Sequence, residues 1–431
     1  MGVSIATSLQ IQGAANVLDY GATGNGSTDD TAAFQAALAA NPNAIYPAYQ
    51  RNGTLAQYVI HGQVTIPING SLTGPNVGMC PGIGNSYYGT DSGSSLNITL
   101  NPSTIPGLLL ITGNSGSASA TSPFTLQTGS TLQGFCAYWP NQAQLGPSSS
   151  APTAYPYFAT MGVGANATIR NGCVINPYQF LNIAGMWRAT VCDIIGQPYA
   201  MGILVTNSYD VTRIERVHFE CFWDAYQAAP GNFYQPWTLN TGGVAYQFER
   251  ADLLNCVDTF AYGYKTGMLL TSQDGTSTNS PWISCNQTHF DGCNAPLVVQ
   301  YIQSNCCNFS NCSFTALANP VLISSTCSGP LMFTGCYMIS YGTHITQNGS
   351  GDTIVTGCTF NAVSSAGTTA IAHNGGGMLI SGNSFKTNTV QYTNAAGALW
   401  ANVVNNRCKT SVSITNTASI AAFSQANNLA Y

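Results

Sequence analysis

The second half of the chain repeats a short pattern of apolar and polar positions. Leu331-Met-Phe-Thr-Gly-Cys-Tyr-Met338 is echoed by Thr353-Ile-Val-Thr-Gly-Cys-Thr-Phe360, Met378-Leu-Ile-Ser-Gly-Asn-Ser-Phe385 and Cys307-Asn-Phe-Ser-Asn-Cys-Ser-Phe314. Val211-Thr-Arg-Ile-Glu-Arg-Val-His-Phe219 carries the same rhythm. Each unit reads as an apolar alternation, a two-residue turn, a small inward residue, an outward residue and a second apolar one. Aligning the outward position predicts a column of Asp193, His218, Asp258, His289, Ser313, Tyr337, Thr359, Ser384 and Cys408, with steps of 25, 40, 31, 24, 24, 22, 25 and 24 residues. A unit of 22–25 residues suits one coil of a three-sided solenoid, in which each coil covers its neighbour's edge. The predicted fold is all-β: a single-stranded right-handed parallel β-helix with regular coils over 161–410 and a strand and tail over 411–431. Residues 45–160, rich in Gly, Pro, Ser and Asn, show no clean period and read as early coils with long loops. The position before each outward residue is predicted to point inward: Cys192, Val217, Val257, Thr288, Cys312, Cys336, Cys358 and Asn383. Cysteines there read as small buried hydrophobes stacked coil on coil.

Two steps exceed one coil, which predicts loops at about Ala225–Gly242 and Thr271–Pro281. Loops projecting from neighbouring coils can wall a groove on the side of a solenoid.

The N-terminal stretch 1–44 has a different character. Its centre is Ala15-Asn-Val-Leu-Asp-Tyr-Gly-Ala-Thr-Gly-Asn-Gly-Ser-Thr-Asp-Asp-Thr-Ala-Ala-Phe-Gln-Ala-Ala-Leu38. Val17–Tyr20 reads as a strand and Gly21–Gly26 as a turn. Thr28 or Asp29 can cap a helix whose apolar face is Ala32, Phe34, Ala37 and Leu38. Asp29 and Asp30 sit at the positive end of that helix and read as caps, not catalysts. This segment resembles the N-terminal motif of the pectate-lyase-like β-helix superfamily, which includes polygalacturonases, the pectate lyase 3 group and phage tailspike depolymerases. The resemblance implies that the strand and a short capping helix plug the N-terminal end of the β-helix. It implies fold more than chemistry.

Composition narrows the function. Only 6% of residues are charged while 45% are apolar, so solubility rests on Ser, Thr, Asn, Gln and Gly. The recurrence of Val, Ile, Leu, Phe and Tyr excludes a disordered chain. A net charge of −5 with no basic run argues against a nucleic-acid partner. The longest apolar runs, such as Gly107–Thr112 and Met268–Leu270, are too short to cross a membrane. Met1–Gly13 has neither a basic n-region nor an apolar h-region, so the reading is that it is no Sec signal. Export then follows trimming or another route, such as release in a phage particle. The fifteen cysteines are odd in number, and the adjacent Cys306 and Cys307 suit no usual metal site. No metal or cofactor is expected.

The charge that exists is clustered. Eight of fifteen acids lie between Asp193 and Asp258: Asp193, Asp210, Glu215, Glu220, Asp224, Glu249, Asp252 and Asp258. Strand residues two apart point the same way, so His218 shares a face with Glu220, and His289 with Asp291. Carboxylates on adjacent coils would lie about 5 Å apart and two coils away about 10 Å. Glycoside hydrolysis needs roughly 5–5.5 Å for retention or 6.5–9.5 Å for inversion. Glu220, Asp258 and Asp291 are the first candidates, Asp193 and Asp224 the next, with His218 and His289 beside them. The competing reading is a set of surface ion pairs, Arg213 or Arg216 with Glu215 and Arg250 with Glu249 or Asp252. Trp223, Tyr234 and Trp237 are predicted sugar platforms, and Arg213 and Arg250 substrate-binding cations.

The resemblance also sets limits. Polygalacturonases carry Asn-Thr-Asp, Asp-Asp, Gly-His-Gly and Arg-x-Lys motifs; no such set stands in order here, and Asn207-Ser-Tyr-Asp210 is a poor echo of the first. Calcium-dependent pectate lyases pair an acidic cluster with an arginine base, which the acids and Arg213 could imitate. The expectation is a depolymerase of a bacterial capsular or exopolysaccharide, acting outside a cell on a phage tail or after secretion. Polysaccharide lyase chemistry and a non-catalytic glycan-binding β-helix stay open. The tailspike resemblance implies a homotrimer.

Overall fold

The structure is a computed structural model. It describes residues 13–75, 104–142, 145, 148–220, 226–229, 232–363, 369–409 and 411–430, with backbone alone for 226–229 and 232–234. Apolar residues alternating with polar ones along short strands leave one side to bury and one to solvate. The chain satisfies this by winding into coils of three parallel strands. In one coil these are Leu331–Thr334 on face one, Tyr337–Ser340 on face two and Ile345–Gln347 on face three. The next coil pairs in register, Leu331 with Thr353, Tyr337 with Thr359 and Ile345 with Ile371. Among the described residues, face three alone stacks thirteen strands, from Val64–Ile66 to Ile414–Thr415. The fold is a right-handed parallel β-helix.

The corner between faces one and two is made by one residue per coil in the left-handed backbone region. Asp193, Arg216, Asp258, Gln287, Asn311, Gly335, Gly357, Gly382, Asn405 and Asn427 fill this row, with φ between 52° and 68°. Gly, Asn and Asp tolerate that conformation best, which is why the repeat shows Asn or Gly at its turn. At Gly382 a Cβ would meet nothing within 4 Å, so a substitution there isolates the backbone cost. Gly382→Ala is expected to lower stability by about 1–2 kcal/mol, read as a shift in urea midpoint at constant slope. An unchanged midpoint would show that the corner carries no such strain.

Counting from this row corrects the predicted column. His218 pairs with Ile195 on one side and Phe260 on the other. Asp193 and Asp258 lie two residues earlier, at the corner itself. Ser384 pairs with Arg407, and Cys408 is buried beneath, opposite Phe385. The inward row likewise holds Ile194 and Thr259 where Cys192 and Val257 were expected. The helix also continues past the expected last coil: Ala422–Ala426 and Leu429–Ala430 pair with Ala398–Val404 and Arg407–Cys408.

Aromatic rings fill the core in a ladder. Phe158 and Phe180 stack at 6.1 Å, Phe219 and Tyr246 at 5.4 Å, Phe290 and Phe314 at 5.9 Å, and Phe309 and Phe333 at 5.2 Å. The described cysteines are all free and, except for Cys306, buried. Those in the inward row do more than fill space. The Sγ atoms of Cys312, Cys336 and Cys358 donate to the carbonyls of Cys285, Phe309 and Phe333. Asn383 and Asn406 use their amides the same way, on Val355 and Ile380.

At the N-terminus, Ala15–Asn16 forms the strand, pairing with Ala44 and Ile45, while Val17–Tyr20 is a 3-10 turn and not the expected strand. The helix spans Thr31–Ala40 and buries Ala33 where Ala32 was expected; Phe34 packs 5.5 Å from Tyr46 and 5.3 Å from Tyr58. Asp29 accepts from the Thr31 backbone N–H, as a cap does, whereas Asp30 is buried and accepts from Thr23 and Gly24, clamping the preceding turn.

Candidate functional site

Two outward positions follow each corner residue on face two. The first, two residues on, gives Ile195, His218, Phe260, His289 and Ser313 in paired register. The second, four residues on, gives Glu220, Tyr262 and Asp291 on successive coils; Tyr262 pairs directly with Asp291. His218, Glu220, His289 and Asp291 therefore do share one face. Tyr262 and Phe260, which lie between them, escaped the sequence alignment because the register had been set on Asp258. Counting from the left-handed corner residue would have found both.

The chemistry of this patch is set by burial. Glu220 retains 8% exposure, although it stands on the outer side of the strand. His218 Nε2 and Glu220 Oε2 lie 2.7 Å apart, and the His218 ring is packed at 4.6 Å against Phe260. Burial penalises both charged forms. It pushes the Glu220 carboxyl up to about 8, with the charge of Asp291 adding to the rise. It pulls the His218 imidazole down to about 4, against the opposite pull of Asp258. Near neutral pH the pair is thus a protonated carboxyl beside a neutral imidazole, joined by a hydrogen bond whose direction follows the imidazole tautomer. Burial also raises Asp291, opposed by a hydrogen bond from the Gly292 backbone. His289 Nδ1 lies 2.9 Å from the Ser313 hydroxyl.

The other predicted residues fall elsewhere. Asp193 holds Arg216 through two contacts of 2.6 and 2.9 Å, which lower its carboxyl. Asp258 is an exposed corner residue. Arg213 lies on face one, paired with Asn255, away from the patch. Arg250 is held at 2.9 Å by Asp252 and lies 5.1 Å over the Tyr209 ring. Arg188 pairs with Asp210 at 2.7 Å. For Asp193, Arg216, Arg250 and Arg188 the ion-pair reading describes the geometry. Asp193→Asn is accordingly expected to change stability by under about 1 kcal/mol and to leave any cleavage activity within about twofold, since the carboxyl is engaged by Arg216 at the corner. Activity assays and melting curves on the single variant check this.

Trp237 is buried, 8% exposed, with its ring 6.2 Å from Tyr178, so it cannot offer an open platform. Trp223 and Asp224 lie outside the described residues. Tyr234 belongs to a strand of an antiparallel hairpin, Tyr226–Ala229 with Asn232–Tyr234, whose side chains are not described. The two predicted loops do not wall one groove. The hairpin lies in the chain between the strands of face two and face three, whereas residues 271–280 connect face three to face one, where Thr278 accepts a hydrogen bond from Arg250. Of the two, the hairpin is the one that follows Glu220 in sequence.

Comparison with known proteins gives a partial family match and a set of fold neighbours. Residues 14–80 match the family described as rhamnogalacturonase A/epimerase, pectate lyase-like. No curated protein matches the chain in sequence. Among solved structures, the N-terminal fragment of bacteriophage phi29 gene product 12 is similar at 12% identity and a TM-score of 0.65, over 96% of this chain and 71% of that one. The A-module of Azotobacter vinelandii mannuronan C-5 epimerase AlgE4 is similar at 12% identity and a TM-score of 0.51, over 95% of this chain and 99% of the module. The pre-mature form of phi29 gene product 12 gives a TM-score of 0.52 at 12% identity, over 91% of this chain and 52% of its own. At such identities the likeness is one of fold. The chain is thus a right-handed parallel β-helix protein that carries the pectate-lyase-like match in its N-terminal segment and shares its fold with a phage protein and a polysaccharide epimerase module.

Proposed function

We propose that the protein hydrolyses a polysaccharide lying along face two, with Glu220 as general acid and Asp291 as general base. The observation that carries this is the buried, proton-holding Glu220, two coils from a second carboxyl on the same outward row. Two coil steps place the two backbones about 10 Å apart. Side chains that lean toward each other across that span would bring the carboxyls into the range of roughly 6.5–9.5 Å that leaves room for a water, the geometry of inversion. Glu220 gives its proton to the glycosidic oxygen as the C1–O bond breaks. Asp291 takes a proton from the water whose oxygen bonds to C1. His218, hydrogen-bonded to one Glu220 oxygen, holds the carboxyl so that the proton on the other can reach the substrate, and Tyr262 lies on the coil between the two acids, where the sugar ring would rest.

The family match, whose description names a rhamnogalacturonase, and the mannuronan epimerase neighbour support a polysaccharide substrate. The phage neighbour supports a place on a virion or outside the cell, with a bacterial capsular or exopolysaccharide as substrate. A homotrimer follows by analogy with tailspikes.

The test is incubation with a panel of bacterial polysaccharides, followed by mass spectrometry and NMR of fresh products. Saturated ends with inverted anomeric configuration are expected. Unsaturated, ultraviolet-absorbing ends would replace hydrolysis by elimination on a uronate, and adhesion without products would leave a binding protein.

A further inference from the structure

The corner between faces three and one, across the molecule from the acidic patch, carries an exposed aromatic strip. Trp187 is 46% and Tyr209 37% exposed, on consecutive coils, whereas Trp139 is fully buried. Their rings meet edge to face at 5.8 Å. The Arg250 guanidinium lies 5.1 Å over Tyr209 and is itself fixed by Asp252. One coil earlier, Ala165 pairs with Trp187 and Val163 stands 91% exposed. Beside the rings, Arg188 and Asp210 form a pair at 2.7 Å with both side chains nearly half exposed, and Arg188 Nε also donates to Asn166 Oδ1 at 2.9 Å.

We propose that this strip is a second, non-catalytic binding site for a neutral polysaccharide chain. Trp187 and Tyr209 leave part of their apolar surface in water, and such surface suits the apolar faces of sugars. The rings are held at a fixed angle, so little freedom is lost when a ligand stacks on them. The adjacent guanidinium and carboxylate supply donors and acceptors for ring hydroxyls. Because Arg188 is matched by Asp210 and Arg250 by Asp252, the strip has no net charge to draw in a uronate or a phosphate. From Val163 to Arg250 it runs about three coil steps, roughly 15 Å, the length of a short oligosaccharide. Two half-exposed rings and one valine fall well short of the roughly 800 Å² per partner that a stable protein interface buries, which disfavours a second copy of the chain. The inference rests on the proposed function only for the class of ligand; the site would hold the polymer while the opposite face works on it.

Affinity electrophoresis tests it, with the Glu220→Gln protein run through gels containing dextran, rhamnogalacturonan, mannuronan and a panel of neutral bacterial polysaccharides. Retardation by at least one neutral polymer is expected. Trp187→Ala and Tyr209→Ala should each weaken it by about tenfold, and Tyr209→Phe should keep it. In the protein with Glu220 intact, Trp187→Ala should leave cleavage of short oligosaccharides unchanged. Retardation by no polymer, or retardation indifferent to Trp187 and Tyr209, overturns the proposal. So does a change of oligomeric state on Trp187→Ala in sedimentation velocity, which would make the strip a protein interface. If nothing is cleaved but Trp187-dependent retardation persists, the hydrolase reading fails and this one stands.

Discussion

Glu220→Gln is expected to reduce polysaccharide cleavage by about 10²–10⁴-fold, the usual worth of a general acid, while leaving the coil intact. The amide keeps a hydrogen bond to His218 but has no proton to give. The same residue shapes the pH dependence. Cleavage should fall as pH rises through about 8, where the carboxyl loses its proton, and the acid limb should lie above the ordinary carboxylate range, because burial raises Asp291.

Stability follows the same linkage. The Glu220 carboxyl titrates near 8 in the folded state against an ordinary 4.5, so its contribution is complete below the ordinary value and is lost as pH rises toward 8. His218 is depressed to about 4 from 6.5, so its contribution is present above 6.5 and lost as pH falls toward 4. Of this pair, only Glu220 changes its contribution between pH 6.5 and 8. The wild-type melting temperature should decline across that window, while that of Glu220→Gln stays flat. Parallel curves would show that Glu220 is not held protonated, and an active Glu220→Gln enzyme would remove it from the mechanism.

Phe290→Ala should cost about 3–5 kcal/mol, the usual range for deleting a buried phenylalanine. Phe290 is fully buried between the outward residues His289 and Asp291, with its ring 5.9 Å from Phe314 and 6.3 Å from Tyr246. Tyr246 in turn donates its hydroxyl to the Val217 or Phe260 carbonyl, at 3.1 Å from each, so the core under the patch fixes the strands that carry His218 and Phe260. The variant should therefore lose activity as well as stability, and Phe290→Leu should lose less of both. Urea midpoints with product assays at a temperature where the variant is folded separate the two effects. Full activity in folded Phe290→Ala would show that the core does not position Asp291.

Much of the architecture is written in short-range pattern. Alternation of the kind seen in Leu331–Thr334, an Asn or Gly at the corner and a small residue after it recur because each coil meets the same local constraints of pleat, left-handed turn and stacked core. The pairing of His218 with Glu220 on one side of a strand needs only the two-residue period. The register of coils that break the pattern is harder to read. Arg216 and Gln287 occupy left-handed positions that their residue types do not announce, so Asp193 and Asp258 align plausibly but wrongly. Burial of an outward carboxyl is equally silent in sequence, because it depends on what neighbouring coils stack around Glu220.

What the sequence determined by itself was the repeat length, the β-helix, the N-terminal capping helix and the face shared by His218, Glu220, His289 and Asp291, since each follows from local periodicity. Tertiary structure alone decided that Arg213 faces another side, that Trp237 is buried, that the two long loops leave from different corners, and that Trp187 and Tyr209 meet at the surface. The physical reason is that these depend on how coils of unequal length stack, and a one-dimensional period carries no record of which corner takes up the excess.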